Sequence, residues 1–154
     1  MNFSDLERSL NNIPEQQLVF VGLGNLHRGD DGAGIRWLEH PALCNAFPES
    51  HFIFAGTTPE NHLTEILEYK PAVVVFVDAA RWGGFPGEMT WLPRQLLDDS
   101  RFSTHAYSIG LIETYLQNHR SIEIRYLGIQ PGNTHPGASL SPVVQNAIDQ
   151  FFNG

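Results

Sequence analysis

Four residues of this chain are best suited to chemistry. Asp30 and Asp31 are adjacent in VGLGNLHRGDDGAG (residues 21–34), Asp78 stands near the end of VVVFVDA, and His105 lies in STHAYS. The paired aspartates sit where a glycine-rich turn enters a helix, among Gly29, Gly32 and Gly34. A helix N-terminus carries about half a positive charge, so the simplest task for a single Asp there is to cap it. With two, one can cap while the other points into a cleft, and the glycines let another chain approach closely. Asp78 follows six consecutive apolar residues. A carboxylate at the mouth of a buried strand is costly to desolvate without a partner, either a hydrogen bond from the next loop or a cation. Two carboxylates brought together do not both ionise cheaply unless a cation lies between them. Two carboxylates and an imidazole form a donor set suited to nickel or zinc.

Phosphate chemistry fits the same turn poorly. A dinucleotide fingerprint needs Gly-x-Gly-x-x-Gly, but Gly22 and Gly24 are followed by His27 where the third glycine belongs. No Gly-Lys-Ser/Thr triplet exists, and two aspartates at the helix entrance repel a pyrophosphate. Of the seven histidines, His27 and His135 fall in loops at the rim of a cleft, and His40, His51, His62 and His119 at ends or outward faces of elements. His105 differs because Ser103 or Thr104 can cap its helix and leave the imidazole to project over the sheet.

The elements that must position these residues alternate between strand and helix. LVFVGLG reads as a buried strand and GAGIRWLEH as the helix after it, ending before Pro41. HFIFAG is a second strand, and Thr58-Pro59 reads as the N-cap and first residue of a helix whose inward stripe is Leu63, Ile66 and Leu67. The unbroken apolar run of AVVVFVDA suits a central parallel strand covered on both faces. MTWL reads as a short edge strand, and STHAYSIGLIETYLQNH as a helix facing the sheet with Ile109, Ile112 and Leu116. SIEIRYLGIQ alternates Ile122, Ile124 and Tyr126 with polar neighbours, a strand with one wetter face. Ser141-Pro142 reads as the cap of a last helix running through Phe151. Ahead of all this, residues 1–17 form an extension in which SDLERSL reads as a short amphipathic helix with Ser4 as its N-cap. Residues 18–154 form one domain.

This order predicts an α/β fold, a three-layer α/β/α sandwich on a mostly parallel twisted sheet of about five strands with helices on both faces. Ligands of such sheets bind beyond the carboxyl ends of the strands, where strand order reverses. If the first and third strands are neighbours, as in flavodoxin-like order, Asp31 and Asp78 rise on adjacent loops of one crevice.

Composition narrows the partners. Nine basic against 17 acidic residues leave a formal net charge of -8, which disfavours nucleic acid and anionic membrane and favours a cation. Cys44 is the only cysteine, so an internal disulfide and a cysteine-based zinc site are both excluded. No apolar run is long enough to span a bilayer and no apolar leader is present, so the expected location is cytoplasmic, without membrane insertion.

The motifs, taken together, resemble the hydrogenase maturation endopeptidases. Gly22-x-Gly24-Asn25 with Asp30-Asp31-Gly32-x-Gly34 is similar to the family's first motif, VVFVDAA with GGFPGE to its second, and STHAYS to its third. AGTTPEN, LGIQP and LSPVVQNAI resemble the branch serving hydrogenases of the formate-hydrogenlyase (hydrogenase-3) type. The resemblance spans about residues 18 to 152, and it implies a phosphorylase/hydrolase-like fold. It also implies an aspartyl endopeptidase-like enzyme that removes a C-terminal extension from the nickel-loaded large-subunit precursor of a nickel-iron hydrogenase. The three metal-binding side chains of the family fall on Asp31, Asp78 and His105, with nickel presented by the substrate and zinc or cadmium able to substitute. Asp31 is the expected base, on the view that its glycine turn lets it shift between metal and water. His105 is followed by Ala106, where some members have Gln or Asn, so that position supplies no side-chain hydrogen bond here.

Two other functions fit the residues. One is a zinc-dependent amide hydrolase of related fold. The other is a non-catalytic flavodoxin-like binding or scaffold module, whose acids only cap helices and carry solvated charge.

Overall fold

The computed structural model describes residues 1–98 and 106–154. Five strands, β1 (Leu18–Leu23), β2 (His51–Gly56), β3 (Val73–Ala79), β4 (Met89–Trp91) and β5 (Glu123–Ile129), form one sheet in the order β2-β1-β3-β5-β4. The β2–β1, β1–β3 and β3–β5 pairs are parallel, and β4 runs antiparallel on the edge beside β5. Among the described residues six α-helices accompany them: α1 (Phe3–Leu10), α2 (Ala33–Leu38), α3 (Pro41–Ala46), α4 (Leu63–Glu68), α5 (Ala106–His119) and α6 (Pro142–Asn153). The expected α/β sandwich is therefore observed, with β1 and β3 as neighbours.

The two faces of the sheet follow the two-residue period of a strand. On one face Leu18, Phe20, Val73, Val75, Val77, Leu127 and Ile129 pack under α1, α2, α3 and α6. On the other, Val19, Val21, Val74, Phe76 and Tyr126 pack under Ile66 of α4 and Ile109, Ile112 and Leu116 of α5. β3 is buried at every position because both layers cover it, which is why its apolar run does not alternate. Burying a side chain such as Phe20 or Phe76 contributes about 1.5–3 kcal/mol.

Several local features depart from the sequence reading. The cap of α1 is Asn2 and not Ser4. Asn2 and Asp5 form a reciprocal capping box, each side chain accepting from the other's backbone N–H at 2.9 Å. α1 packs on the domain: Leu6 and Leu10 are buried, and Phe3 meets Phe47, Phe151 and Phe152. The wetter face expected of β5 is confined to its first half, where Arg125 donates to the Ser9 carbonyl at 2.7 Å at the end of α1. Chain direction changes at Pro41, but a second short helix, α3, starts there, with His40 Nδ1 accepting from the Ala42 N–H. Thr58 makes no capping hydrogen bond, and Pro59 opens a 3-10 turn (Pro59–His62) ahead of α4. Ser141 does not cap α6 with its side chain. Its hydroxyl is committed elsewhere.

Candidate active site

The carboxyl ends of β1 and β3 lie side by side, with Gly22 paired in register with Val77. After β1 the chain turns back through residues 24–28 and a 3-10 turn, Gly29–Gly32, into α2. The start of α2 presses on both strands. A methyl group on Gly34 would fall 2.6 Å from the Leu23 carbonyl oxygen and closer still to that of Val77. Only glycine permits this approach. It brings the turn bearing Asp31 against β3, whose next residue after Val77 is Asp78.

The three predicted site residues stand as follows. Asp31 is half-buried in the 3-10 turn, and its Oδ2 accepts the Asn25 backbone N–H at 2.9 Å. Asp78 is fully buried, continuing the face of Val74 and Phe76 towards the α5 layer, and its Oδ2 accepts the hydroxyl of Tyr126 at 2.8 Å. His105 lies outside the described residues, immediately before α5. Among the described residues no three His, Cys, Asp or Glu side chains are grouped to hold a metal ion. Asp31, in the turn after β1, and Asp78, near the end of β3, are both hard oxygen donors, a chemistry that fits a divalent cation completed by a nitrogen ligand.

Asp30 has a different role from either one considered in the sequence. Neither aspartate caps α2, whose N-cap is Gly32 without a side-chain hydrogen bond. Asp30 is fully buried, and its carboxylate accepts four hydrogen bonds from the loop between β5 and α6. Oδ2 takes the N–H groups of Gly132 (2.8 Å) and Asn133 (2.9 Å) and the hydroxyl of Ser141 (2.8 Å). Oδ1 takes the Ser141 N–H at 2.7 Å. Backbone bonds add to this: Asp30 N–H to Asn133 O, Gly29 N–H to Ala138 O, and Gly137 N–H to His27 O. The glycine turn is tied down, and the freedom expected of it is not what this bonding provides.

The loop after β3 is braced from the same place. Gln130, buried at the end of β5, accepts the N–H groups of Trp82 (3.1 Å) and Gly84 (3.2 Å) on its Oε1. Beside the Asp31 turn runs an open groove of about 440 Å³ between Asn25 and Leu26 on one side and Phe54 and Thr57 on the other. Leu26 and Phe54 expose apolar surface there. Asn25, Tyr126 and Gln130 were not singled out as site residues in the sequence. The available signals were an Asn directly after the glycine pair, and polar atoms on a strand next to β3.

The comparisons agree with this architecture. Residues 39–153 match the HycI family, described as hydrogenase maturation protease. The hydrogenase 3 maturation protease of Escherichia coli is 32% identical over 137 residues, covering 87% of this chain and 85% of the relative. A span that long takes in the glycine turn and β3 wherever it begins. The crystal structure of a NiFe hydrogenase maturation protease, HycI, from Thermococcus kodakarensis superposes with a TM-score of 0.81 at 28% identity, covering 97% of this chain and 94% of that one. The solution structure of an endopeptidase, HycI, from Escherichia coli gives a TM-score of 0.72 at 25% identity, with 89% and 87% covered. This α/β sheet is that of a peptidase, and the chain belongs to the hydrogenase maturation protease family. Among the described residues no helix is long and apolar enough to cross a membrane.

Proposed function

We propose that this peptidase removes a C-terminal extension from the nickel-loaded large-subunit precursor of a nickel-iron hydrogenase, acting in the cytoplasm through residues 18–154. Nickel enters as part of the substrate, and Asp31, Asp78 and His105 are its contacts on this chain. Zinc or cadmium would substitute at the same donors. The observation that carries the reading is the β1–β3 neighbour relation, which sets the Asp31 turn against the end of the strand that bears Asp78.

Each residue then has a task. Asp78 is held by the Tyr126 hydroxyl and offers a fixed oxygen donor at the cleft floor. Asp31 uses Oδ2 to hold the Asn25 N–H, so Oδ1 is the oxygen that faces the reaction. A water adds to the scissile carbonyl carbon as Asp31 Oδ1 takes its proton. The carbon–nitrogen bond breaks and the departing amine receives a proton in return. The nickel carried by the precursor supplies positive charge that orients the peptide and polarises its carbonyl. The groove from Asn25 to Phe54 receives the chain beside the scissile bond, its apolar rim matched by Leu26 and Phe54.

The test is cleavage of nickel-loaded and nickel-free precursor by the wild type and by Asp31→Ala, Asp78→Ala and His105→Ala. Cleavage of the loaded precursor alone, lost in all three variants, is expected. Full activity in Asp78→Ala would refute the assignment.

A further inference from the structure

We infer that Asp30 is a positioning residue that acts through Asp31, fixing the working carboxylate by tying the β1–α2 turn to the β5–α6 loop. This rests on the reading of Asp31 given above. The argument begins with cost. A fully buried carboxylate is expensive to desolvate, and the fold offsets that with four hydrogen bonds from Gly132, Asn133 and Ser141. None of the four caps a helix or extends the sheet. All of them fasten one loop at the carboxyl end of the sheet to another, across 102 to 111 residues of chain.

The geometry passes this restraint directly to the next residue. Asp31 follows Asp30 in the same 3-10 turn, its own N–H donating to the Arg28 carbonyl at 3.1 Å. Its side chain is anchored a second time at Oδ2 by the Asn25 N–H. The turn is thus held by Asp30, and the Asp31 carboxylate on it by the Asn25 N–H. The same β5–α6 segment fixes the loop after Asp78, through Gln130 Oε1 to Trp82 and Gly84 and through its backbone to Gly87 and Glu88. One segment therefore braces both the turn that bears Asp31 and the loop that follows Asp78. Misplacing a catalytic group by about 1 Å costs on the order of a hundredfold in rate, so a brace of this kind has kinetic consequences.

A residue that only adds stability, assayed far below the unfolding midpoint, leaves kcat unchanged. A positioning residue does not. Two readouts separate them: kcat and KM on the nickel-loaded precursor, and hydrogen exchange at the Asn25 amide, which reports whether Asp31 Oδ2 is in place. Ser141→Ala removes one of the four bonds and is the milder variant. It is expected to lower kcat by about 3- to 10-fold with KM unchanged, to speed Asn25 exchange while the β3 amides keep theirs, and to be rescued by Ser141→Thr. Asp30→Asn, where it folds, is expected to lower kcat by about 100-fold. Ser141→Ala with wild-type kcat or wild-type Asn25 exchange overturns the proposal, independently of whether Asp30→Asn folds. Asp31→Ala serves as the reference: if it cleaves at full rate, the reading of Asp31 fails first, and the role of Asp30 with it.

Discussion

Gly24 lies directly beneath the carbonyl of Asp31: a methyl group on Gly24 would overlap that oxygen. Its φ of 128° is also one that a side chain rarely adopts. The turn can therefore fold back on β1 only because this position has no side chain, and Asp31 reaches the cleft as a consequence. Gly24→Ala has two ways to relieve the overlap, moving the turn or straining β1, and both displace Asp31. The expected result is a folded protein with a melting temperature lowered by several degrees and precursor cleavage reduced by about 100-fold. Circular dichroism and a gel-shift cleavage assay measure the two effects. Unchanged cleavage would mean that the placement of Asp31 tolerates this shift.

The Tyr126 hydroxyl gives a second prediction. It donates to Asp78 Oδ2 at 2.8 Å within the α5-side core, where both side chains are buried. Tyr126→Phe keeps the ring and removes this donor. An intramolecular hydrogen bond contributes about 0.5–1.5 kcal/mol, so the variant should unfold at lower temperature. Because the same bond orients Asp78, cleavage should also fall by about tenfold or more. A variant as active as the wild type would show that Asp78 is oriented without Tyr126.

The strands and their order of burial were legible because their signal is local. The apolar run of β3, the alternation at Ile109, Ile112 and Leu116 in α5, and the edge strand at Met89–Trp91 depend on residues close in sequence. Asp31 could be nominated from its glycine turn at a helix entrance and Asp78 from the end of its strand, although their neighbour relation depended on a strand order that sequence offers only as one choice. What was illegible depends on distant partners. Ser141-Pro142 has the form of a helix cap, yet the hydroxyl goes to Asp30, 111 residues away, and nothing near either residue signals the other. The sequence reading starts the first helix at Ser4, whereas the reciprocal bonds between Asn2 and Asp5 start α1 two residues earlier. Nothing near Gln130 in sequence signals its bonds to Trp82 and Gly84, which lie 46 to 48 residues away.

The N-terminal helix yields a prediction about stability alone. Leu6 is fully buried among the aromatic and aliphatic residues under α1 and α6, far in sequence from the cleft. Leu6→Ala leaves a cavity and is expected to cost about 2–5 kcal/mol, which lowers the melting temperature by roughly 4–20 °C for a chain of this size. Glu7→Ala, on the exposed side of the same helix, should change it by less than a degree or two. Below the unfolding transition, Leu6→Ala should cleave precursor at the wild-type rate. Loss of activity in a folded Leu6→Ala protein would give α1 a part in substrate recognition.

The last prediction concerns cations and tests Asp31 and Asp78 as metal contacts. A divalent ion that binds only the native protein raises its stability by an amount set by concentration over dissociation constant, about 2.7 kcal/mol at a hundredfold excess. For this chain that corresponds to a rise of roughly 5–10 °C in melting temperature. Cadmium or nickel should produce such a shift in the wild type, and Asp31→Ala or Asp78→Ala should abolish it, since each removes one of the two proposed oxygen donors. Glu49→Ala, which removes an exposed acid away from the cleft, should leave the shift intact and so control for non-specific charge. A protein purified with stoichiometric zinc would show a resident metal in place of one carried by the substrate. Equal shifts in the wild type and in both aspartate variants, or no shift in any of them, would remove Asp31 and Asp78 from the metal contacts and leave their carboxylates with structural work only.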